Sequence, residues 1–263
     1  MADGGEIRVE SRERDGGTIA YVTVDREARL NVLNGALIEG LAGIFRTLAD
    51  DASLRAVVLS GSGERAFIGG ADIHEMAALD PAGAEAFITR LHEACAAIRA
   101  CPVPVIARIR GYCLGAGLEV AASCDLRVAA DGATFGMPEV RVGIPSVIEA
   151  ALLPALIGWG RTRELLYTGG SIDADEALAA RLVEAVVPPG DLDAVVEERL
   201  AGIFAAGPRA VRAQKALIAR WEELPLGAAI EAGIAAFRAA YESDEPHAMM
   251  RAFLERPRGG SAR

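Results

Sequence analysis

Two small-residue turns and two carboxylates are the parts of this chain best suited to chemistry. Gly69-Gly70-Ala71-Asp72-Ile73 and Gly115-Ala116-Gly117-Leu118-Glu119 each stand where an extended segment gives way to a helical one. Backbone N–H groups at such a start lack intrahelical partners and carry the positive end of the helix dipole, so they can hold a developing anion. Small side chains let a ligand oxygen reach the backbone; they serve equally well for close packing of a helix on a sheet. Glu119 lies in the first turn of an otherwise apolar helix, LEVAAS, and Glu139 follows Pro138 after the strand DLRVAA. Taken singly, each suits a dipole-stabilising or solvated-cap role. A strand returning along a sheet could bring both into one pocket, where burial would separate their pKa values and allow acid and base roles.

Other catalytic signatures fit less well. GSGERA at Gly61–Ala66 follows a strand and formally fits G-x-G-x-x-A. A dinucleotide fingerprint, however, opens a helix directly, and here Phe67-Ile68-Gly69-Gly70 intervenes. Neither a P-loop nor a G-x-S-x-G nucleophile elbow occurs.

The elements that must position these groups are legible from periodicity. A hairpin opens the chain: EIRVE, a turn at Asp15–Gly17, then the alternating TIAYVTVD. Apolar residues fall on one helical face from Asn34 to Asp51 and again from Pro81 to Ala100, with the strand RAVVLS between. PVIARIRGYC reads as one strand, Leu118–Ser123 as a short helix, and DLRVAA as another strand. In IPSVIEAALLPALIG, Pro154 is expected to break or kink the helix. Asp173 and Glu176 form a D-x-x-E capping pattern, followed by the strand LVEAVV. From Asp191 to Glu255 only helical patterns occur, about four of them. The division expected is an α/β core over residues 1–190 and a helical region over 191–263.

Composition sets the limits. The 263 residues are 52% hydrophobic with a mean hydropathy of +0.26, enough apolar surface for a single large core. Aromatics are only 5%, and 37 acidic against 27 basic residues leave a net charge of −10, which speaks against nucleic-acid binding. No apolar run approaches the roughly 20 residues that cross a bilayer, and the N-terminal segment reads as neither a secretory signal nor a transit peptide. Cytoplasm is the compartment expected. Cysteines at 95, 101, 113 and 124 match neither zinc pairs nor a redox motif and read as buried, reduced thiols; the three histidines are dispersed, so no metal site is expected.

AFIGGADIHEM (Ala66–Met76), GYCLGAGLEVAASCDLRVAA (Gly111–Ala130) and FGMPEVRVGIP (Phe135–Pro145) resemble the three signature blocks of the enoyl-CoA hydratase/isomerase (crotonase) superfamily. LNVLN at Leu30, the stretch TGGSIDADEALAARLVEAVVP and the tail MMRAFLER extend the resemblance over nearly the whole chain. It implies an α/β fold built as a ββα spiral core with a helical C-terminal trimerisation region, often a dimer of trimers. It implies an acyl-CoA thioester as substrate, with Ala71 and Ala116 supplying the N–H groups of an oxyanion hole. Ala71, Asp72, Ile73 and His74 would line the thioester and pantetheine, and Glu119 and Glu139 would occupy the catalytic positions. Each preorganised donor is worth about 3 kcal/mol toward a developing oxyanion. No metal or redox cofactor is implied, since coenzyme A is part of the substrate. Its phosphates call for local bases, for which Arg26 and Arg29 are the candidates, with Lys215 and Arg256 from the tail.

Three departures from the family pattern stand out. Glycine is common where Ala116 stands; a glycine-rich turn is replaced by PSVIEA, with Glu149 in it; and Ile68 replaces a small residue, which predicts a more crowded acyl entrance. Hydration of a trans-2-enoyl-CoA is the leading reading because both glutamates are retained. The alternatives are isomerisation of 3-enoyl-CoA to 2-enoyl-CoA, which needs one proton-shuttling carboxylate, and non-catalytic acyl-CoA binding.

Overall fold

The computed structural model describes residues 4–255; Arg256 lies outside the described residues. The chain divides after Leu200 into two compact units.

The first unit begins with the expected hairpin, β1 (Glu6–Arg14) and β2 (Gly17–Asp25), antiparallel in the register Arg14↔Gly17. Helix α1 (Gly35–Ala49) starts where Asn34 accepts a hydrogen bond from the Leu37 N–H, an N-cap that satisfies one orphan donor. Three similar passages follow. β3 (Leu54–Gly61) leads into β4 (Ala66–Ile68), the short α2 (Ile73–Met76) and α3 (Pro81–Ala100). β5 (Val105–Ile109) leads into β6 (Tyr112–Leu114) and α4 (Ala116–Ser123). β7 (Leu126–Ala130) leads into β8 (Thr134–Gly136), two 3₁₀ turns at Glu139–Val142 and Ile148–Leu152, and α5 (Leu153–Thr168). β9 (Ser171–Asp173), α6 (Ala174–Ala179) and β10 (Ala185–Val187) complete the sheets, with the Asp173/Glu176 capping box formed.

The first strand of each passage joins a six-stranded sheet of order β1-β2-β3-β5-β7-β10, and the second a four-stranded sheet of order β4-β6-β8-β9. This is the ββα spiral that the resemblance implies. The parallel β4-β6-β8 ladder matters most for function, because it lays the loops after three successive turns side by side.

Several boundaries differ from the sequence reading. PVIARIRGYC is two strands in different sheets, broken at Gly111, where φ is +59° and a Cβ would lie 2.0 Å from the Arg65 carbonyl oxygen. GSGERA is a turn between β3 and β4 and opens no helix. Pro154 sits in the first turn of α5, where its missing N–H costs nothing; the break comes instead at Gly158, with φ of +73°. The four cysteines are free and buried.

Beyond the core run α7 (Leu192–Ala205), α8 (Pro208–Glu223), α9 (Leu226–Ala240) and α10 (Glu245–Leu254), the four helices expected. In the second unit Glu245 of α10 caps α8 by accepting from the N–H groups of Arg209 and Ala210, and the Trp221 indole donates to the Ala229 carbonyl. Ile230, Ile234 and Phe237 of α9 are exposed, Phe237 to 69%. No helix among the described residues is long and apolar enough to cross a membrane.

Candidate active site

A cavity of about 780 Å³ opens in the first unit, within the range usual for small-molecule sites. Ala71, Ile73, Ala116, Glu119 and Glu139 all line it. The geometry follows from the ladder. Leu33 pairs with Ala71 as an isolated parallel bridge: the Leu33 N–H donates to the Gly70 carbonyl, and the Asp72 N–H to the Leu33 carbonyl. Alternation along that bridge turns the Ala71 N–H away from Leu33. Ala116 is the first residue of α4, where an N–H has no intrahelical acceptor. Two backbone donors thus border one cavity.

Gly115 makes the junction possible. Its φ of +52° and ψ of −121° belong to glycine, and a Cβ there would stand 2.3 Å from Oε1 of Glu139. Its own N–H donates to the Gly136 carbonyl, joining the loop after β6 to the end of β8. Gly117 is required for a second reason, since a Cβ would meet the Ile68 carbonyl oxygen at 2.0 Å.

Glu119 is buried, and Oε1 accepts from the Ala150 N–H at 3.3 Å. Burial above all, then the charge of Glu139, pushes its carboxyl from 4.5 up to about 8 against the opposing Ala150 hydrogen bond. At neutral pH this side chain holds its proton. Glu139 opens the 3₁₀ turn, and its Oε2 accepts from the Ser146 hydroxyl at 2.8 Å. One acid is therefore held protonated in an apolar wall, beside a second carboxylate anchored from a different loop.

The remaining sequence candidates stand elsewhere. The Arg26 side chain is only 8% exposed; it donates to Oδ2 of Asp72 at 2.7 Å and to the Val32 carbonyl. Asp72 in turn caps α2 by accepting from the His74 N–H, and Arg26 lowers its pKa against the opposing effect of burial. Arg26 and Asp72 thus brace the Ala71 loop from behind. His74 and Arg29 are exposed and outside the cavity wall, and Lys215 lies on α8 in the second unit. Ile68 does not crowd the entrance: it is fully buried in β4 beneath Gly117 and does not line the cavity. Glu149 is likewise absent from the wall and bonds His92 instead.

The sequence reading missed Ser146 and the Ala150 N–H as partners of the two glutamates. Their one signal was the departure PSVIEA, in which both lie. It also missed Phe87, Ile88 and Leu91 of α3, which line the cavity but carry the same periodicity as any core-facing helix.

Paired backbone donors, a protonated glutamate and a second carboxylate around an apolar cavity define a site for chemistry at a carbonyl-activated carbon. A family model described as enoyl-CoA hydratase/isomerase matches residues 14–259, and the chain belongs to that family. It is 34% identical over 241 residues to the short-chain-enoyl-CoA hydratase of Clostridium acetobutylicum, covering 91% of this chain and 92% of that one. It is also 34% identical over 239 residues to the crotonyl-CoA hydratase of Syntrophomonas wolfei, covering 90% and 92%. Among solved structures, the enoyl-CoA hydratase of Bacillus anthracis superimposes with a TM-score of 0.90 at 32% identity, covering 95% of this chain and 96% of that one.

Proposed function

We propose that this protein hydrates trans-2-enoyl-CoA thioesters. The observation that carries the reading is the placement of Glu119, protonated at neutral pH, on the same cavity wall as Glu139 and the Ala71 and Ala116 donors. The thioester oxygen accepts from both N–H groups. Water held between the two glutamate side chains attacks C3, and its proton passes to Glu139. The electron pair of the C2–C3 bond moves onto the thioester as an enolate, whose oxygen the two donors stabilise. Collapse of the enolate takes the Glu119 proton at C2, giving a 3-hydroxyacyl-CoA; exchange with solvent restores both glutamates.

The reaction so written draws on no metal or redox cofactor, and coenzyme A enters as part of the substrate. Arg29, exposed beside the LNVLN loop, is the base offered to its phosphates, while Arg26 positions the Ala71 loop. Isomerisation requires one shuttling carboxylate, and the second acid favours hydration. Exposed apolar residues of α9 support assembly as a homotrimer or dimer of trimers, and four buried free thiols support a reducing, cytoplasmic compartment. The test is loss of the conjugated thioester absorbance of enoyl-CoA esters, with 3-enoyl-CoA isomerisation measured alongside. Glu119→Gln and Glu139→Gln are each expected to lower hydration by roughly 100-fold or more. Full hydration by Glu119→Gln would remove the two-carboxylate mechanism.

A further inference from the structure

A third glutamate lies behind the site. Glu149, in the 3₁₀ turn Ile148–Leu152, has a side chain only 7% exposed. Its Oε1 accepts from Nδ1 of His92 on α3 at 2.8 Å, and its Oε2 is buried without a hydrogen-bond partner. A buried carboxylate oxygen left unpartnered is costly and calls for an explanation. Tethering alone is a poor one, since a neutral amide would tether the turn without burying a charge.

The same turn touches the site. Ala150, the next residue, shares its N–H between the Val147 carbonyl at 2.9 Å and Oε1 of Glu119 at 3.3 Å. Ile148, the residue just before these two contacts, has φ of +39°, a left-handed conformation that a β-branched residue rarely adopts. The turn is thus held to His92 through Glu149 and to Glu119 through Ala150. The charge of Glu149 also reaches beyond its own contact: it pushes the buried Cys95 thiol up, after burial itself, and adds to the upward push on Glu119. His92 has a half-exposed side chain, so it reaches solvent while holding a buried group.

We propose that His92 and Glu149 form a positioning pair for Glu119, acting through the Ile148–Leu152 turn and through the charge of Glu149. This deepens the hydratase reading and rests on it for its catalytic meaning. A negative charge on Glu149 favours the protonated form of Glu119, and a permanent cation beside Glu149 opposes it. The titratable and charged groups around Glu119 are Glu139 and Arg141 from the first 3₁₀ turn, Glu149 from the second, and Glu85, His92 and Cys95 from α3. Arg141 is directed to the Thr168 carbonyl, and His92 is the side chain that meets Glu149.

Two variants test the charge. Glu149→Gln keeps the shape and removes the charge, while His92→Lys places a permanent cation at a half-exposed position. In both, the titration of Glu119 is followed by ¹³C NMR of carboxyl-labelled glutamate, assigned by the resonance lost in Glu119→Gln. The alkaline limb of kcat/KM for a short trans-2-enoyl-CoA is recorded in parallel. Both readouts are expected to move to lower pH by about half a unit or more, and His92→Asn, which keeps a donor, leaves the limb in place. A Glu119 titration that overlays the parent in both charge variants overturns the proposal, whatever happens to kcat. A shifted titration in a protein that hydrates no enoyl-CoA supports the pair and refutes the hydratase reading.

Discussion

Replacing Glu119 by glutamine keeps the outline of the side chain and its bond from the Ala150 N–H, but removes the proton equilibrium. The consequence for stability is large and has a definite sign. In the folded chain the carboxyl titrates at about 8, against 4.5 for the ordinary group, chiefly because burial disfavours its charge. A group whose folded pKa is raised contributes its full stability below the unfolded value and loses it as pH climbs to the folded one. Between pH 4.5 and 8 the unfolded chain releases this proton and the native chain does not, at about 1.4 kcal/mol for each pH unit. By pH 7 the accumulated loss is roughly 3 kcal/mol, and above pH 8 it levels at roughly 5 kcal/mol. Glutamine has no such dependence. The Glu119→Gln variant is therefore expected to match its parent near pH 5 and to exceed it increasingly up to pH 8. At pH 7 the gap in Tm should be roughly 6–12 °C for a chain of this size. Thermal and urea unfolding of both proteins at pH 5, 6, 7, 8 and 9 measure the difference, in which titrating groups that do not interact with Glu119 cancel. A gap that stays constant over this range would refute the buried, protonated assignment.

Further outcomes follow from the same geometry. If the proton on Glu119 is the one delivered to C2, as the proposed hydration requires, kcat should decline as pH rises through about 8, read from a pH–rate profile. Gly115→Ala would drive a Cβ to 2.3 Å from Oε1 of Glu139 and force a positive φ on alanine, so hydration should fall roughly 100-fold while the circular dichroism spectrum is kept. Ser146→Ala removes the hydroxyl that anchors Glu139, and a roughly tenfold fall in kcat with KM little changed is expected in steady-state kinetics. Saturated acyl-CoA should raise Tm and NAD should not, checked by thermal shift; a rise with NAD alone would revive a dinucleotide site.

How much of this could be read in advance depends on the range of each interaction. Glu119 and Glu139 were legible as candidates because each sits in a short local motif, Gly115–Glu119 and Pro138-Glu139, while their catalytic positions came from the family resemblance those motifs carry. α1, α3 and the Asp173/Glu176 box were legible for the same reason: periodicity and capping are written within one or two turns of helix. β4, β6 and β8 were not, since three residues are too few to display alternation, and β5 with β6 reads as one apolar run until Gly111 breaks it. Ile68 misled because a large residue in a motif can point either way from a strand, and here it faces the core. The Glu149–His92 contact joins residues 57 apart on elements whose packing is set by the whole spiral, and no local pattern announces it.

The position of Glu119 in the first turn of α4 poses a question of magnitude. A helix N-terminus favours a negative charge by roughly 0.3–1 kcal/mol at exposed sites and up to about 2 kcal/mol in partly buried ones. Burial and the charge of Glu139 together move this carboxyl the other way, to about 8, which corresponds to roughly 5 kcal/mol. Burial wins, so the helix terminus does not serve to ionise Glu119. Its electrostatic effect is left for whatever anion meets the unpaired Ala116 N–H at the same end of the helix. In the proposed hydration an enolate oxygen there would gain from the terminus, and once its charge collapsed onto carbon the Glu119 carboxylate left behind would lie within the same turn. On that mechanism the terminus favours the negative charge at the start of the proton transfer and at its end. For this the acid and the donor must share one helical turn, and Ala116 and Glu119, three residues apart, do.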